Sequence, residues 1–270
     1  MTLPADPFAA VAALDGVGAA VDEARSVVDR ALRHQILRRR SAEVTAEAGL
    51  RSARATAALE DADFGLEQVR SFTPRPPADG DPDSGVLAGA LRLSGELGSV
   101  VAPFERAPLQ AIARVHLLAG ADLVEPASLG RPRTEDDAED LLDLPAAPSA
   151  AEVGVRLALL ADLLTSRSAA PAIVVSAIVH GELLALRPFG WGNGLVARAA
   201  GRLVLVSRGL DPKAVTAPEV GHAERAGDYA AAASAYVAGD VARWVRHCAE
   251  AVALGAQETL AICAALERSA

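Results

Sequence analysis

A chain of 270 residues, 51% of them hydrophobic and only 3% aromatic, can bury a sizeable core, and its bias toward Ala, Leu and Val favours helices. Its formal net charge of −9 speaks against a general nucleic-acid binder, which needs a basic face. Cys248 and Cys263 would stand roughly 22 Å apart on one helix, too far for a disulfide, and this suits a reducing compartment.

Residues 7–30 are expected to form one or two helices, interrupted near Gly16 and Gly18, with helix continuing over 32–50 and again over 51–70. The cations Arg33, Arg38, Arg39 and Arg40 fit a solvated helix face. No cationic start followed by an apolar core marks a signal peptide in residues 1–15. The best apolar run, 169–186, is interrupted by Ser176, His180 and Glu182, so no membrane span is expected and the protein is placed in the cytoplasm. Residues 71–85, rich in Pro, Gly and Asp, form a connector. Helices follow over 86–97 and 108–118, with Gly120 as a C-cap. The stretch 121–140 lacks helical periodicity, and its acidic end, 135–140, fits solvated loop better than a metal site. Ser149 and Glu152 have capping-box spacing ahead of an apolar stripe, Val153, Leu157, Leu160 and Leu164. Two helical runs, 171–186 and 195–207, flank a Gly-rich turn, and two or three more helices close the chain over 219–265.

The turn reads Arg187-Pro188-Phe189-Gly190-Trp191-Gly192-Asn193-Gly194-Leu195-Val196-Ala197-Arg198. It feeds the N-terminus of a helix, where unpaired N–H groups and the helix dipole favour an anion. It resembles the Fic (Fido) signature HxFx(D/E)GNGRxxR. Phe189, Gly192, Asn193, Gly194 and Arg198 fall in register, whereas Arg187, Trp191 and Leu195 stand where that signature has its His, its acid and its first Arg. Upstream, Thr56-Ala-Ala-Leu-Glu60-Asp61 is similar to the inhibitory pattern (S/T)xxxE(G/N) of the same family, with Asp61 departing at the last place. The resemblance implies an all-α Fic-type helical bundle with a small β-hairpin flap over 121–140, holding Gly130-Arg131-Pro132-Arg133-Thr134 as its Gly–Arg element. It also implies that Glu60 pairs with Arg198, and it divides the chain into N-terminal helices (1–70) with the inhibitory segment, a linker (71–85) and a Fic-like domain (86–270). Tyr236 and Trp244 are expected to be packing residues.

In that family the signature His acts as base on a target hydroxyl, the acid holds Mg²⁺, the Gly-Asn-Gly turn and both Arg residues bind nucleotide phosphates, and AMP passes from ATP to a protein. Arg187 cannot accept a proton, because arginine stays charged below a pKa of about 12. Trp191 has no oxygen for a hard cation. Leu195 removes a charge-assisted contact worth about 1.5–3 kcal/mol. Loss of a general base alone costs about 10²–10⁴ in rate. His180 fits a hydrogen-bonded core histidine, and no Cys–His zinc pattern is present. The expected protein is therefore inactive as an AMP transferase and binds a partner or an anionic ligand at Gly192, Asn193, Gly194 and Arg198. The alternative is an active nucleotidyl- or phosphotransferase that modifies a protein with non-standard residues. ATP or another nucleotide is the candidate ligand, Mg²⁺ is not expected, and oligomeric state is left open.

Overall fold

The computed structural model describes residues 6–73 and 81–269, so residues 74–80 of the expected connector lie outside the described residues. All regular elements among the described residues are helices. At the centre stand α9 (Ala172–Leu186) and α10 (Asn193–Ser207), packed on each other. Twelve of the 15 residues of α9 are buried, which explains why its sequence is apolar all round. In α10 an unbroken run from Asn193 to Leu205 is buried.

The N-terminal helices α1 (Pro7–Ala12), α2 (Val17–Leu32), α3 (Ile36–Arg39), α4 (Ser41–Ala58) and α5 (Leu66–Ser71) precede α6 (Pro82–Arg106) and α7 (Pro108–Gly120). After a long irregular segment comes α8 (Ala150–Thr165). The chain closes with α11 (Pro218–Glu224), α12 (Ala226–Val237) and α13 (Val241–Arg268). α6 packs on α7, α4 and α10, while α13 packs along α2, α9 and α11. One apolar cluster runs from Phe8 to Ala256, so the N-terminal helices share their core with the central hairpin.

Several boundaries differ from the expected ones. Residue 50 is no break, because α4 runs on to Ala58; the break falls instead at Arg40. Helix α6 starts at Pro82, ahead of residue 86, because Asp81 caps it by accepting from Ser84 N–H. The Ser149 cap of α8 is found where expected, accepting from Glu152 N–H. Both α6 and α13 are long and apolar enough to cross a membrane by length and composition, though charges interrupt each, Arg92 and Glu96 in α6 and Glu258 in α13; about half of each apolar stretch, 50% and 44%, is buried in the fold.

The expected β-hairpin flap is not formed: residues 121–149 hold turns and extended backbone but no strand. Pro126, Pro132, Pro145 and Pro148 remove ladder donors. Leu142 and Asp143 have positive φ, which breaks an extended run. Buried Leu141 and Leu144 anchor the segment to the core.

Helices α6 and α7 approach closely at Gly89, where an added Cβ would stand 2.2 Å from the carbonyl oxygen of Ala119. Because backbone must shift to admit it, Gly89→Ala is expected to cost about 1–3 kcal/mol, measured by denaturant unfolding. Where α9, α11, α12 and α13 meet, His180, His222 and His247 are buried among Tyr229 and Trp244. His222 Nδ1 and His247 Nε2 are 3.0 Å apart, a contact that one shared proton satisfies and two would oppose. Burial holds His180 and His222 well below the usual value of 6.5 and His247 down to about 4. Between pH 6.5 and 4 the unfolded chain binds more protons than the folded one, so stability present above pH 6.5 is lost as pH falls. The melting temperature should drop across that window, and His247→Asn should flatten the drop.

Candidate functional site

Helix α9 stops at Leu186. Arg187 takes the left-handed conformation (φ 43°) as C-cap, and Pro188 prevents continuation. Phe189 is buried and stacks on His116, with centroids 4.0 Å apart and planes 4° from parallel. The Gly130 N–H donates to His116 Nδ1 at 2.8 Å, so His116 Nε2 carries the hydrogen and donates to the carbonyl of Trp191 at 3.1 Å. Burial keeps this imidazole neutral by pushing its pKa down. Gly192 caps α10 with φ 76°, a conformation that a side chain would strain. Asn193 closes the turn on itself: Oδ1 accepts from Phe189 N–H at 2.9 Å and Nδ2 donates to the Phe189 carbonyl at 2.8 Å.

The opening of α10 does hold an anion, and the protein supplies it. Glu139 Oε1 accepts from Gly192 N–H at 2.8 Å. Its Oε2 accepts from Asn193 N–H at 2.9 Å and from Asn193 Nδ2 at 2.6 Å. The acidic run 135–140 is thus not all solvated loop, because one of its carboxylates is drawn to the helix N-terminus. Two arginines fasten this segment. Arg187 donates through Nη1 to the Glu139 carbonyl at 3.4 Å and through Nη2 to the Pro145 carbonyl. Arg133 donates through Nε to the Arg187 carbonyl at 3.0 Å, and through Nη groups to the carbonyls of Glu135 and Pro148 at 2.7 and 2.6 Å. Its own N–H reaches the Pro188 carbonyl at 2.7 Å. Arg187 is only 4% exposed, and its Nε has no partner among the described residues. Burial, with Arg133 nearby, pushes the Arg187 pKa down.

On the other side, α4 ends against α10. The Asp61 N–H bonds to the Ala58 carbonyl and the Ala62 N–H to the Ala57 carbonyl, while Asp61 has φ 62°. This is a Schellman ending, whose left-handed position takes Gly or Asn most readily and Asp with modest strain. It explains why the departure at Asp61 leaves Glu60 in place. Glu60 Oε1 lies 2.5 Å from Arg198 Nη2, Thr56 Oγ1 accepts from Arg198 Nε at 3.0 Å, and the Thr56 carbonyl accepts from Nη2 at 3.4 Å. The Arg198 side chain is 1% exposed and that of Glu60 11%. Burial raises the Glu60 pKa, against the pull of Arg198. A Cβ on Gly194 would stand 2.1 Å from Glu60 Oε1, so only glycine lets the carboxylate reach α10.

The remaining signature positions serve packing. Leu195 is 0% exposed. Trp191 is partly buried and touches both the main core and the cluster of Ala57, Ala62, Val69, Val86 and Leu87. These residues do not fit Mg²⁺. The Trp191 side chain offers no oxygen, its carbonyl accepts from His116, and both Glu139 oxygens already accept from N–H groups.

The structure therefore gathers Thr56, Glu60, Arg187, Gly192, Asn193, Gly194 and Arg198 around one turn. Sequence reasoning missed Glu139, Arg133 and His116 as parts of it. Arg133 lay within the Gly–Arg element, but the anchoring of Glu139 had no local signal. His180, expected in the core, is buried, with Nε2 2.8 Å from Tyr229 Oη. Trp244 packs fully buried and donates to the Ala177 carbonyl at 2.6 Å. Tyr236 packs against it and donates to Glu182 at 3.3 Å. His180, His222 and Cys248 bring their ligand atoms within 4.8 Å of one another, a grouping that their spacing along the chain concealed.

No protein-family model and no curated protein matches the sequence. Solved structures do. A Fic family protein from Desulfovibrio desulfuricans G20 superposes with TM-score 0.74 at 21% identity, covering 92% of this chain and 75% of that one. Fic-1 from C. elegans gives TM-score 0.69 at 18% identity, covering 94% and 74%. A Fic domain containing signaling protein from Bacteroides thetaiotaomicron VPI-5482 gives 0.66 at 12% identity, covering 91% and 98%. At these identities the likeness speaks for the arrangement of helices and not for the chemistry, and on that arrangement the chain is a Fic-fold domain.

Proposed function

We propose that this protein does not transfer AMP and that its remnant site binds an anionic ligand, either a nucleotide or an acidic group of a partner protein. The observation that carries this reading is the convergence of the Gly192 N–H, the Asn193 N–H and Asn193 Nδ2 on a carboxylate at 2.6–2.9 Å. Anion-binding geometry is retained, while the means of activating a hydroxyl are absent. Arg187 stands at the base position and spends both Nη groups on carbonyls. Trp191 stands at the metal position, and Leu195 lies in the core. Glu60 holds Arg198 and is the inhibitory carboxylate of the resting state.

Incubation with labelled ATP and Mg²⁺ should leave no AMP on the protein or on lysate proteins. Label that disappears in Asn193→Ala would instead favour an active transferase. Restoring Arg187→His together with Trp191→Asp is more informative than adding Leu195→Arg, because a charge at a 0% exposed position would itself threaten folding.

Glu60→Gly should cost about 3–5 kcal/mol, because it leaves Arg198 buried without its carboxylate. ATP should then raise the melting temperature of this variant more than that of the wild type, as expected when a phosphate replaces the lost partner. Equal, null shifts in both would end the claim that Arg198 serves a ligand.

A further inference from the structure

The turn at residues 192–193 is occupied by an anion that comes from a segment without helix or strand. Residues 134–137 of that segment are exposed. Beside it an open cleft of about 600 Å³ runs along Arg131 to Glu139 and ends at Gly190. The segment is fastened by Arg133 and Arg187, each through neutral carbonyls. Neither arginine forms an ion pair among the described residues, whereas Arg198 is paired with Glu60. Arg187 keeps Nε without a partner, and so does Arg198 with Nη1, which would lie 3.1 Å from a Cβ on Gly194. Arg187 and Arg198, both more than nine-tenths buried, thus each keep one guanidinium nitrogen without a partner among the described residues, that of Arg198 beside Gly194.

We propose that Glu139 is a tethered internal anion gating this turn, and that the ligand displacing it is phosphate, free or as a monoester, bound without a metal. This rests on the reading of the turn as an anion site. Withdrawal of Glu139 exposes the three donors at Gly192 and Asn193 and removes one of the two carboxylates, with Asp140, whose charge acts on Arg187. A carboxylate brings one negative charge and two oxygens. A phosphate monoester brings nearly two charges and three oxygens, enough for the same donors and for the spare Arg187 Nε. With Glu139 withdrawn, the carboxylate left against the turn is that of Glu60, which is paired with Arg198, so no free carboxylate is there to hold a hard cation and the bound form is metal-free. The cleft at Gly190 is the route of entry.

The tether lowers apparent affinity by the fraction of molecules in which the turn is open. Inorganic phosphate and AMP are titrated by calorimetry, with chelator and at constant ionic strength, into wild type, Glu139→Gln, and Glu139→Gln combined with Asn193→Ala. Glu139→Gln is expected to bind about tenfold or more tightly than wild type, and Asn193→Ala to abolish the gain. In the wild type, saturating phosphate should speed amide exchange over residues 135–148, which keeps the proposal testable should a variant misfold. Equal affinities in wild type and Glu139→Gln, still lost with Asn193→Ala, would overturn the gate and leave the anion site standing. Absence of binding by Glu139→Gln, in a folded protein whose 135–148 amides exchange faster, would overturn both. Binding that requires Mg²⁺ would overturn the metal-free form.

Discussion

A guanidinium cannot be buried alone, and Arg198 dictates much of what surrounds it. Desolvating a charge costs several kcal/mol unless it is paired and its hydrogens are taken. The partners come from α4, which must end where Glu60 can turn inward and must carry Thr56 one turn earlier. A second rung lies beside the first. Arg202, four residues after Arg198, donates to Ser52 Oγ at 2.7 Å, and Ser52 lies four residues before Thr56. Two arginines on one face of α10 therefore meet two hydroxyls on one face of α4, running in opposite directions. The long side chains span the gap between the helices and fix their register. Glu219, 3.8 Å from Arg202, adds α11 to the same arrangement.

What the sequence made legible follows from this physics. The turn was readable because glycine positions and an asparagine clamp are local: Asn193 bonds residue 189, four away. The placing of Glu60 at the end of α4 was readable because a Schellman ending is also local, and Asp61 stands at its left-handed place. Helix boundaries with side-chain caps, such as Ser149, were found; those set by tertiary packing, such as the run of α4 through residue 50, were not. Glu139 was illegible for a different reason. A carboxylate in a run of five acids carries no mark of which one will be captured, and capture depends on a helix end 53 residues away in sequence. The buried meeting of His180, His222 and Cys248 is illegible in the same way, since three helices bring it together.

The replaced positions are not scattered. Trp191 and Leu195 exchange polar groups for apolar surface that joins the clusters behind the turn. Arg187 stands as a fixed cation in place of a titratable group, with both Nη groups taken by carbonyls. Each change favours holding the turn still. The retained positions, Gly192, Asn193, Gly194 and Arg198, are those whose backbone or charge binds an oxyanion. This division, with anion geometry kept and the usual base and metal-ligand positions held by Arg187 and Trp191, is what supports the proposed reading of recognition over turnover.

The irregular segment over the turn points the same way. Holding a peptide by strand addition requires a free edge of N–H and C=O groups. Here the carbonyls of Glu135, Glu139, Pro145 and Pro148 are consumed by Arg133 and Arg187. Pro132, Pro145 and Pro148 offer no N–H. As fastened, the segment presents no strand edge among the described residues. A partner that engages it must read the exposed side chains of residues 134–137, three of them acidic, or must first release the arginines. Release would free Glu139 as well, because the carbonyl of that residue accepts from Arg187 while its carboxylate fills the turn. Opening the segment to a partner and opening the turn to an anion are therefore one structural event.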